Sequence, residues 1–426
     1  MRNNVKSLIL LLSTLIIVYL IVETGSYLIL KYSKALHFAP SCFNQQISPY
    51  YVFENTPGFK YKDLIKANPD EPEIIVDPNG FISESPVEKH KDDNTIRIFI
   101  TGGSTAFGSG QTSPYETIKE YPKGIYSFKS SIAGLLQEKL KKEFPDKKIE
   151  VINACAVKRM LHQSVAYYLE TISNFSPDVV ITIDGNNDVA PICGMSPYVK
   201  GSMALSSYIK LYELTQLVQD KSYFNFINLL NTLKLSNLKK KEKNRGDDEQ
   251  DALIDPFESA KLSEYLIYKK QFIRGSEKLL KLIKYYNALC TTDDTRFIFC
   301  LQPLLYRQSI NKKLSVSEKE MQKKFFNTNI KTIKVNELFS PSQIEFFIKG
   351  SQLILKYFID DYLTEKINQI STEKGFTYID MNKEMAQVPS NQDVFVDYCH
   401  LTPLGNEIVA ESLFEKVSSI LNETKD

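Results

Sequence analysis

Apolar residues along this chain follow two different spacings. Short runs rich in Val and Ile are typical of strands that are buried on both faces, and they occur at 96–101, 149–153, 178–184, 296–301 and 376–380. Longer segments with an apolar residue at every third or fourth position predict helices, and they occur at 127–143, 162–174 and 403–421. Strands that alternate with helices form parallel sheets. The pattern therefore predicts an α/β domain with about five parallel strands and helices on both faces.

Two stretches interrupt this alternation. Between the third and fourth predicted strands lie about 110 residues, too many for a simple crossover. Helical patterns at 206–235 and 256–289 flank a charged run at 239–251, which is typical of a solvated loop. We expect these helices to form a cap, inserted at about 195–295 into a domain that spans 96–424. Residues 38–95 are irregular, and we expect them to space the domain from the membrane or to pack on its flank.

The amino-terminal segment predicts a membrane anchor. From Leu8 to Leu30 the chain is nearly all apolar, about the 20 residues that a helix needs to cross a bilayer. The run is long for the core of a signal peptide, and no clear cleavage site follows it. We expect residues 1–37 to comprise a cytoplasmic stub, a transmembrane signal anchor and juxtamembrane residues. With Arg2 and Lys6 inside, the domain would lie outside the cytoplasm; a cleaved signal peptide is the alternative.

Composition excludes several kinds of function. The formal net charge is +1, and no basic patch is interleaved with aromatic residues, so nucleic acid is not expected as a partner. The six cysteines form no CxxC pair, so the sequence does not predict a zinc site or a thioredoxin-like site. No metal or organic cofactor is implied, and the oligomeric state is not predicted.

The first candidate for chemistry is Ser104. It follows the first predicted strand in the sequence Thr101-Gly102-Gly103-Ser104-Thr105, at the edge where open α/β sheets bind their ligands. The two glycines allow a tight turn that exposes the hydroxyl. The motif is not a phosphate-binding P-loop, since no Gly-Lys-Ser/Thr follows. It is not a G-x-S-x-G elbow either, because Ala106 occupies the last glycine position.

A nucleophilic serine needs a base, and the chain has four histidines. His400 follows the fifth predicted strand, and Asp397 precedes it by three residues, so one short turn can bring carboxylate and imidazole together. Asn187 follows the third strand, where its amide could donate to a developing oxyanion. Cys155 lies just past the end of the second strand, and its backbone N–H is expected to face the same edge. A simple turn is the alternative interpretation of each motif taken alone.

Together these blocks resemble the SGNH hydrolase family, the GDSL-like esterases and lipases, in its membrane-anchored bacterial type. Gly102-Gly103-Ser104-Thr105 resembles the first block of the family, Gly185-Asn186-Asn187-Asp188 its Gly-x-Asn-Asp block, and Asp397-Tyr398-Cys399-His400 with the following Leu401 its final block. The resemblance implies a flavodoxin-like three-layer α/β/α sandwich. It also implies catalysis by Ser104, Asp397 and His400, with an oxyanion hole formed by Ser104, Cys155 and Asn187. The family usually has glycine where this chain has Cys155.

The function that the resemblance implies is cleavage of an ester. By analogy at the level of the fold, the substrate would be an acyl or acetyl ester of an envelope glycan. Three alternatives remain: an O-acyltransferase, a lipid esterase, and an inactive domain that binds polysaccharide or serves as a scaffold. If the blocks assemble in this way, Cys155 and Cys399 could form a disulfide or pack as two thiols.

Overall fold

The fold was analysed in a computed structural model, which describes residues 2–32, 45–48, 50–61, 64–66, 70–110, 124–157, 159–185, 187–188, 224–233, 262–305, 314–326, 351–397 and 399–423. The chain divides into two compact units. The first comprises Met1–Ile47 and Gly201–Asp255, and the second comprises Ser48–Lys200 and Pro256–Asp426. The charged run at 239–251 and most of the helical pattern predicted at 206–235 lie outside the described residues.

The described helices and strands follow one another in the predicted alternation. The helices are α1 Arg2–Tyr32, α2 Ser104–Phe107, α3 Ile132–Glu143, α4 Leu161–Glu170, α5 225–233, α6 Leu262–Thr292, α7 Val316–Phe326, α8 Ser351–Lys374, α9 Met381–Met385 and α10 Pro403–Glu423. The strands are β1 Gln45–Ser48, β2 Val52–Asn55, β3 Leu64–Ile65, β4 Thr95–Gly102, β5 Ser109–Gly110, β6 Gly124–Tyr126, β7 Lys148–Asn153, β8 Val179–Asp184, β9 Arg296–Leu301 and β10 Thr377–Asp380. A single turn of 3₁₀-helix, Ile172–Phe175, follows α4.

In the first unit, α1 is a continuous helix of 31 residues. Its segment Leu10–Tyr32 is long and apolar enough to cross a membrane, a property that it would share with a signal sequence. Most of the side chains in this segment are exposed in the isolated chain, in keeping with a helix that requires an apolar surrounding.

The second unit is built around a five-stranded parallel sheet in the order β10–β9–β8–β4–β7. Successive side chains of a strand point to opposite faces. Phe99 and Phe297 therefore pack with α4, α6 and α8 on one face, while Ile98 and Ile298 pack with α3 and α10 on the other. This arrangement confirms the predicted three-layer α/β/α fold.

The connections place a ligand crevice at the carboxyl end of β4. From β4 the chain crosses one face through α3 to β7, whereas from β8 it crosses the other face through α6 to β9. Neighbouring strands whose connections leave in opposite directions open a crevice beyond their carboxyl ends. Ser104 and Asn187 follow the carboxyl ends of β4 and β8 and so meet at this point.

Residues 70–94, within the segment predicted to be irregular, pack on the flank of this unit. The side chain of Phe81 is fully buried, and Ile82 exchanges two backbone hydrogen bonds with Asn153 at the end of β7. The Asp77 carboxylate accepts from the amides of Asn79 and Phe81 and so fixes the turn between them. This turn needs the positive φ of Gly80, which is +85°.

The helix predicted at 127–143 begins later than the apolar spacing indicated. Residues 128–130 form turns, and α3 begins at Ile132. The Ser131 hydroxyl accepts from the amide of Gly134 at 3.3 Å and caps the first turn. Because this cap satisfies an amide that has no partner within the helix, the helix starts here rather than at the first apolar residue.

Candidate active site

The turn between β4 and α2 holds Ser104 at the edge of the sheet. Gly102 has a φ of +144°, and a Cβ at this position would lie 2.4 Å from the carbonyl oxygen of Ile183. Glycine is therefore required for β4 and β8 to approach each other here. A Cβ on Gly103 would lie 2.4 Å from Asn187 Nδ2. The two glycines thus bring the end of β8 against the turn, and Ser104, the next residue, remains half-exposed.

Ser104, His400 and Asp397 form one chain of hydrogen bonds. Nε2 of His400 lies 2.9 Å from the Ser104 hydroxyl oxygen, and Nδ1 lies 2.6 Å from Asp397 Oδ2. Oδ1, the second oxygen of Asp397, accepts from the backbone amides of Cys399 and His400 at 2.8 and 2.7 Å. These two amides fix the carboxylate, which in turn fixes the ring with Nε2 toward the serine.

In this series of hydrogen bonds, neighbouring charges oppose the effect of burial on the pKa values of Asp397 and His400. Burial by itself would raise the pKa of Asp397, but the His400 imidazolium and the hydrogen bonds from His400 and Cys399 hold it below its usual value. Burial by itself would lower the pKa of His400, but the sulfur of Cys399 and the carboxylate of Asp397 raise it well above its usual value. We assign the larger effect to Asp397, which is ionised and closer, whereas Cys399 Sγ lies 3.6 Å away and is charged only as a thiolate.

Asn187 lies beside the serine turn. Its Nδ2 donates to the backbone carbonyl of Arg159 at 2.9 Å, and the same nitrogen is the closest atom to the position of a Gly103 Cβ. The side chain is half-buried. One of its two amide protons is thus used in orienting the group, and the second is available for an acceptor at the crevice.

Cys155 is the third group predicted for the oxyanion hole, and its backbone amide and thiol are both bonded to neighbouring groups. The Cys155 amide donates to the Asn153 side-chain oxygen at 3.1 Å, and the thiol donates to the carbonyl of Ile100 at 3.3 Å. The residue is fully buried, and burial raises the pKa of its thiol. The Cys155 amide is thus bonded to a side chain two residues before it.

A disulfide between Cys155 and Cys399 is not formed. Both are buried free thiols, as are Cys290 and Cys300. The remaining two, Cys42 and Cys193, lie outside the described residues. The predicted pair is thus present as two buried free thiols.

Sequence reasoning missed the groups that hold the histidine loop in place. Thr105 Oγ1 donates to the carbonyl of Cys399 at 3.0 Å, and the Tyr126 hydroxyl donates to the carbonyl of Leu401 at 2.9 Å. Gln302 Nε2, at the end of β9, donates in turn to Thr105 Oγ1 at 2.8 Å. The carbonyls on either side of His400 are thus tied to separate elements. The only signal in the sequence was the position of Thr105 and Gln302 at the carboxyl ends of strands.

Two acids lie buried behind the crevice. Asp184 Oδ2 accepts from Thr182 Oγ1 at 2.6 Å and from Ser164 Oγ at 3.4 Å, and burial raises its pKa to about 6. Burial and the neighbouring charge of Asp184 raise the pKa of Asp188 well above its usual value. Asp188 Oδ1 accepts from the Leu161 amide at 3.1 Å, which ties the turn after β8 to the start of α4.

Within the described residues, one group of side chains has the spacing of a metal site. The ligand atoms of Asp397, Cys399 and His400 all lie within 4.8 Å of one another. Two of these atoms are already joined by the 2.6 Å hydrogen bond between Asp397 and His400. A metal would have to replace this bond, so we assign no metal to the group.

The chain matches no protein-family model, and no curated protein sequence matches it. Solved structures similar to it include the acetyl xylan esterase AlAXEase, at 13% identity and a TM-score of 0.37, covering 76% of this chain and 100% of that one. An acetylxylan esterase from Geobacillus stearothermophilus has 10% identity and a TM-score of 0.36, covering 76% and 96%. A putative acylhydrolase from Bacteroides fragilis has 10% identity and a TM-score of 0.35, covering 79% and 92%. At these values the likeness does not indicate what the chain binds or catalyses.

Proposed function

We propose that this protein is a serine hydrolase that cleaves esters, with Ser104 as nucleophile, His400 as general base and Asp397 as the group that orients the histidine. The observation that carries the proposal is the continuous relay from Ser104 Oγ to His400 to Asp397, with distances of 2.9 and 2.6 Å. Both distances are within the reach that proton transfer requires. The relay lies at the carboxyl edge of a parallel sheet, where such folds bind their ligands.

The geometry supports a two-step acyl transfer. His400 Nε2 takes the proton of Ser104 while Oγ attacks the ester carbonyl, and the proton then passes to the leaving alcohol. Water then attacks the acyl carbonyl and gives a proton to the same nitrogen, which passes it to Ser104 Oγ as the bond between Oγ and the acyl group breaks and the acid leaves. Asp397 accepts the Nδ1 hydrogen bond throughout, and its negative charge stabilises the imidazolium that forms in each step.

The oxyanion would be held by the Ser104 backbone N–H and the Asn187 amide. Ser104 is the first residue of α2, and amides in the first turn of a helix have no partner within the helix. Asn187 Nδ2 is oriented by the Arg159 carbonyl and lies against Gly103. Losing one such donor typically costs about 10²–10³ in turnover. Cys155, whose amide is bonded to Asn153, has no part in the proposed hole.

We further propose that α1 anchors the protein in a membrane, that the domain lies outside the cytoplasm, and that the substrate is an acetyl or acyl ester of an envelope glycan. The location is supported by the 23-residue apolar segment Leu10–Tyr32 and by Arg2 and Lys6 before it. The choice of substrate rests on the resemblance of the sequence blocks to SGNH hydrolases, since no contact within the crevice selects an acyl group.

The proposal is tested by labelling the detergent-extracted protein with a fluorophosphonate, which reacts with an activated serine whatever the natural substrate. We expect labelling of the wild type and none of Ser104→Ala. The matched control is Ser173→Ala, which removes a hydroxyl from a serine of the 3₁₀ turn and should label fully. Unlabelled wild type that is folded by circular dichroism would refute the nucleophile assignment and leave the inactive binding domain as the better proposal.

Substrate class is tested next on the labelled enzyme. Release of acetate from O-acetylated oligosaccharides is compared with hydrolysis of long-chain lipid esters at equal concentration. We expect acetate release to be the faster reaction. Preference for the lipid esters would refute the glycan assignment. Acetyl transfer to an acceptor sugar in place of release to water would identify an acyltransferase.

A further inference from the structure

The exposed side chains of helix α5 and of Phe224 just before it are all apolar. No charged residue occurs between positions 224 and 233. Leu229 and Thr232 are buried, at 8% and 5% exposure. The large side chains that remain at least 40% exposed are Phe224, Phe226, Ile227, Leu230 and Leu233. A helix that faced water would carry polar residues on this side, so the surface requires an apolar surrounding.

This helix is attached to the membrane helix α1 at its amino terminus. Glu23 Oε2 accepts from the backbone amide of Asn225 at 2.7 Å, and Oε1 accepts from that of Phe226 at 3.3 Å. The ring of Tyr19, one turn before Glu23, meets the ring of Phe224 edge-on at 6.4 Å between centroids. Two residues on one face of α1 thus contact the first residues of the segment.

From these contacts we infer that residues 224–233 are a second membrane element, inserted into one leaflet of the bilayer beside the anchor. The inference rests on the proposed membrane location of α1. Glu23 lies inside the apolar segment Leu10–Tyr32, about 13 Å along the helix axis from Tyr32 at 1.5 Å per residue. Whatever is bonded to Glu23 is therefore at the depth of the acyl chains.

The length of the helix fits one leaflet. Nine helical residues extend about 13 Å, whereas the hydrocarbon core is about 30 Å thick. The helix cannot cross the bilayer, but it matches the distance from Glu23 to the carboxyl end of the anchor. Phe224 contacts Tyr19 and the next two amides are bonded to Glu23, so the segment advances toward the carboxyl end of the anchor. The leaflet on that side is therefore the one that the inference assigns to it.

The contact with Glu23 explains how a carboxylate is tolerated within the apolar segment. An acidic side chain is costly to place within a membrane helix, and such residues find partners inside the membrane. The first amides of a helix are donors without partners in that helix, at the positive end of its dipole. Glu23 and the start of α5 thus satisfy each other in a surrounding that offers no water.

The alternative to lipid is a second protein that covers the exposed side chains of α5. The bilayer is favoured because α5 contacts α1 through Glu23 and Tyr19, and the residues of α1 between them include Leu20 and Ile21, exposed at 54% and 65%. A soluble partner would have to cover α5 at a depth where lipid already surrounds α1. A surface that continues the lipid-facing surface of the anchor requires no further component.

The chain offers a direct test, because it has no tryptophan. Leu230→Trp in the full-length protein, reconstituted in phosphatidylcholine vesicles, introduces a single fluorophore on the outer face of α5. Vesicles that contain brominated phosphatidylcholine quench a tryptophan in the acyl region, and acrylamide quenches one in water. Leu15→Trp on α1 is the control for a side chain of the anchor in lipid. Leu169→Trp, at a leucine of the other unit that is 50% exposed, is the control for a side chain in water.

We expect brominated lipid to quench Leu230→Trp at least half as strongly as Leu15→Trp, and acrylamide to quench it several-fold less than Leu169→Trp. If Leu230→Trp behaved as Leu169→Trp while Leu15→Trp was quenched by lipid, the inference would be wrong. Failure of lipid to quench Leu15→Trp would overturn the anchor and the inference together. Fluorophosphonate labelling of the same samples reports the reactivity of Ser104 separately. The proposed hydrolase activity and the proposed membrane element can therefore fail independently of each other.

The attachment is tested by adding Glu23→Leu or Glu23→Gln to the Leu230→Trp protein. Leucine removes both acceptor oxygens and suits the membrane better, so a loss of lipid quenching cannot come from poorer insertion of α1. Glutamine keeps one acceptor oxygen. We expect a fall of at least twofold in lipid quenching with leucine and a smaller fall with glutamine. Unchanged quenching with leucine would overturn the assignment of Glu23 as the tether.

Discussion

Gly103→Ala tests whether Asn187 acts on the reaction, because it displaces this side chain without touching the relay. The new Cβ would lie 2.4 Å from Asn187 Nδ2, 3.3 Å from the Arg159 carbonyl oxygen and 3.5 Å from Asn187 Cγ. The backbone of Gly103 has φ −84° and ψ −160°, which alanine adopts readily. The effect is therefore a contact between two side chains. Restoring van der Waals separation moves Nδ2 by about 1 Å, enough to break its 2.9 Å bond to Arg159.

A shift of this size removes one donor from the proposed oxyanion hole, so we expect turnover to fall by about 10²–10³, or about 2.7–4 kcal/mol in activation free energy. The assay is hydrolysis of an activated acetyl ester by wild type, Gly103→Ala, Asn187→Ala and the double variant. If both changes act through the same amide, the double variant loses no more than the larger single loss. Wild-type turnover in Gly103→Ala would refute the reasoning, and so would single losses that multiply in the double variant.

Three further outcomes follow from the site. Asp397→Asn should lower turnover by about 10⁴ in ester hydrolysis assays with little change in KM, because an amide no longer fixes the histidine tautomer; a tenfold loss would contradict the relay. Cys155→Gly should leave turnover unchanged and lower the free energy of unfolding by about 1–3 kcal/mol in urea titrations, since it empties a buried site and loosens the backbone; a tenfold rise in turnover would place Cys155 in the oxyanion hole after all. Burial raises the pKa of Asp184 from its ordinary 3.8 to about 6 in the folded protein, so protonation of Asp184 favours folding. The stabilisation that the protonated form provides is fully present below about pH 4 and is lost as the pH rises through 6. The free energy of unfolding of the wild type should fall by about 3 kcal/mol more between pH 4 and 7 than that of Asp184→Asn, measured by urea unfolding. The same pH dependence in both proteins would show that Asp184 does not titrate in this range.

The fold was largely predictable because a parallel sheet buries both faces of each strand. The strands at 96–101, 149–153 and 296–301 are rich in apolar residues and were located within one residue of their ends. The order of the strands did not follow from these runs, and β4 lies between β7 and β8. The candidate site residues were predicted from polar residues that come immediately after such strands. The carboxyl ends of parallel strands lie at one edge of the sheet, which limits where these residues can be. Ser104 and Asn187 belong to this class.

Cys155 shows why a backbone donor is harder to place from the sequence than a side chain. It too follows a strand, but the direction of a backbone N–H depends on φ and ψ over a few residues, and Asn153 competes for it with a side-chain oxygen. The ties at Thr105 and Tyr126 could not be predicted either. The Thr105 hydrogen bond joins residues 294 positions apart in the sequence, and the Tyr126 hydrogen bond joins residues 275 positions apart. No local spacing indicates such a contact.

The bonds on either side of His400 bear on how this protein can change over evolution. Thr105 belongs to the same short helix as Ser104, and its hydroxyl supports the peptide that carries His400. The serine and the histidine, 296 residues apart in the chain, are thereby linked through one turn of helix rather than through the long segment that separates them. Changes in the long segment that separates them, outside the sheet and the catalytic turns, can then accumulate while the reacting atoms keep their spacing. The catalytic spacing is thereby inherited with a few contacts around one helical turn rather than with the length of the chain between the serine and the histidine.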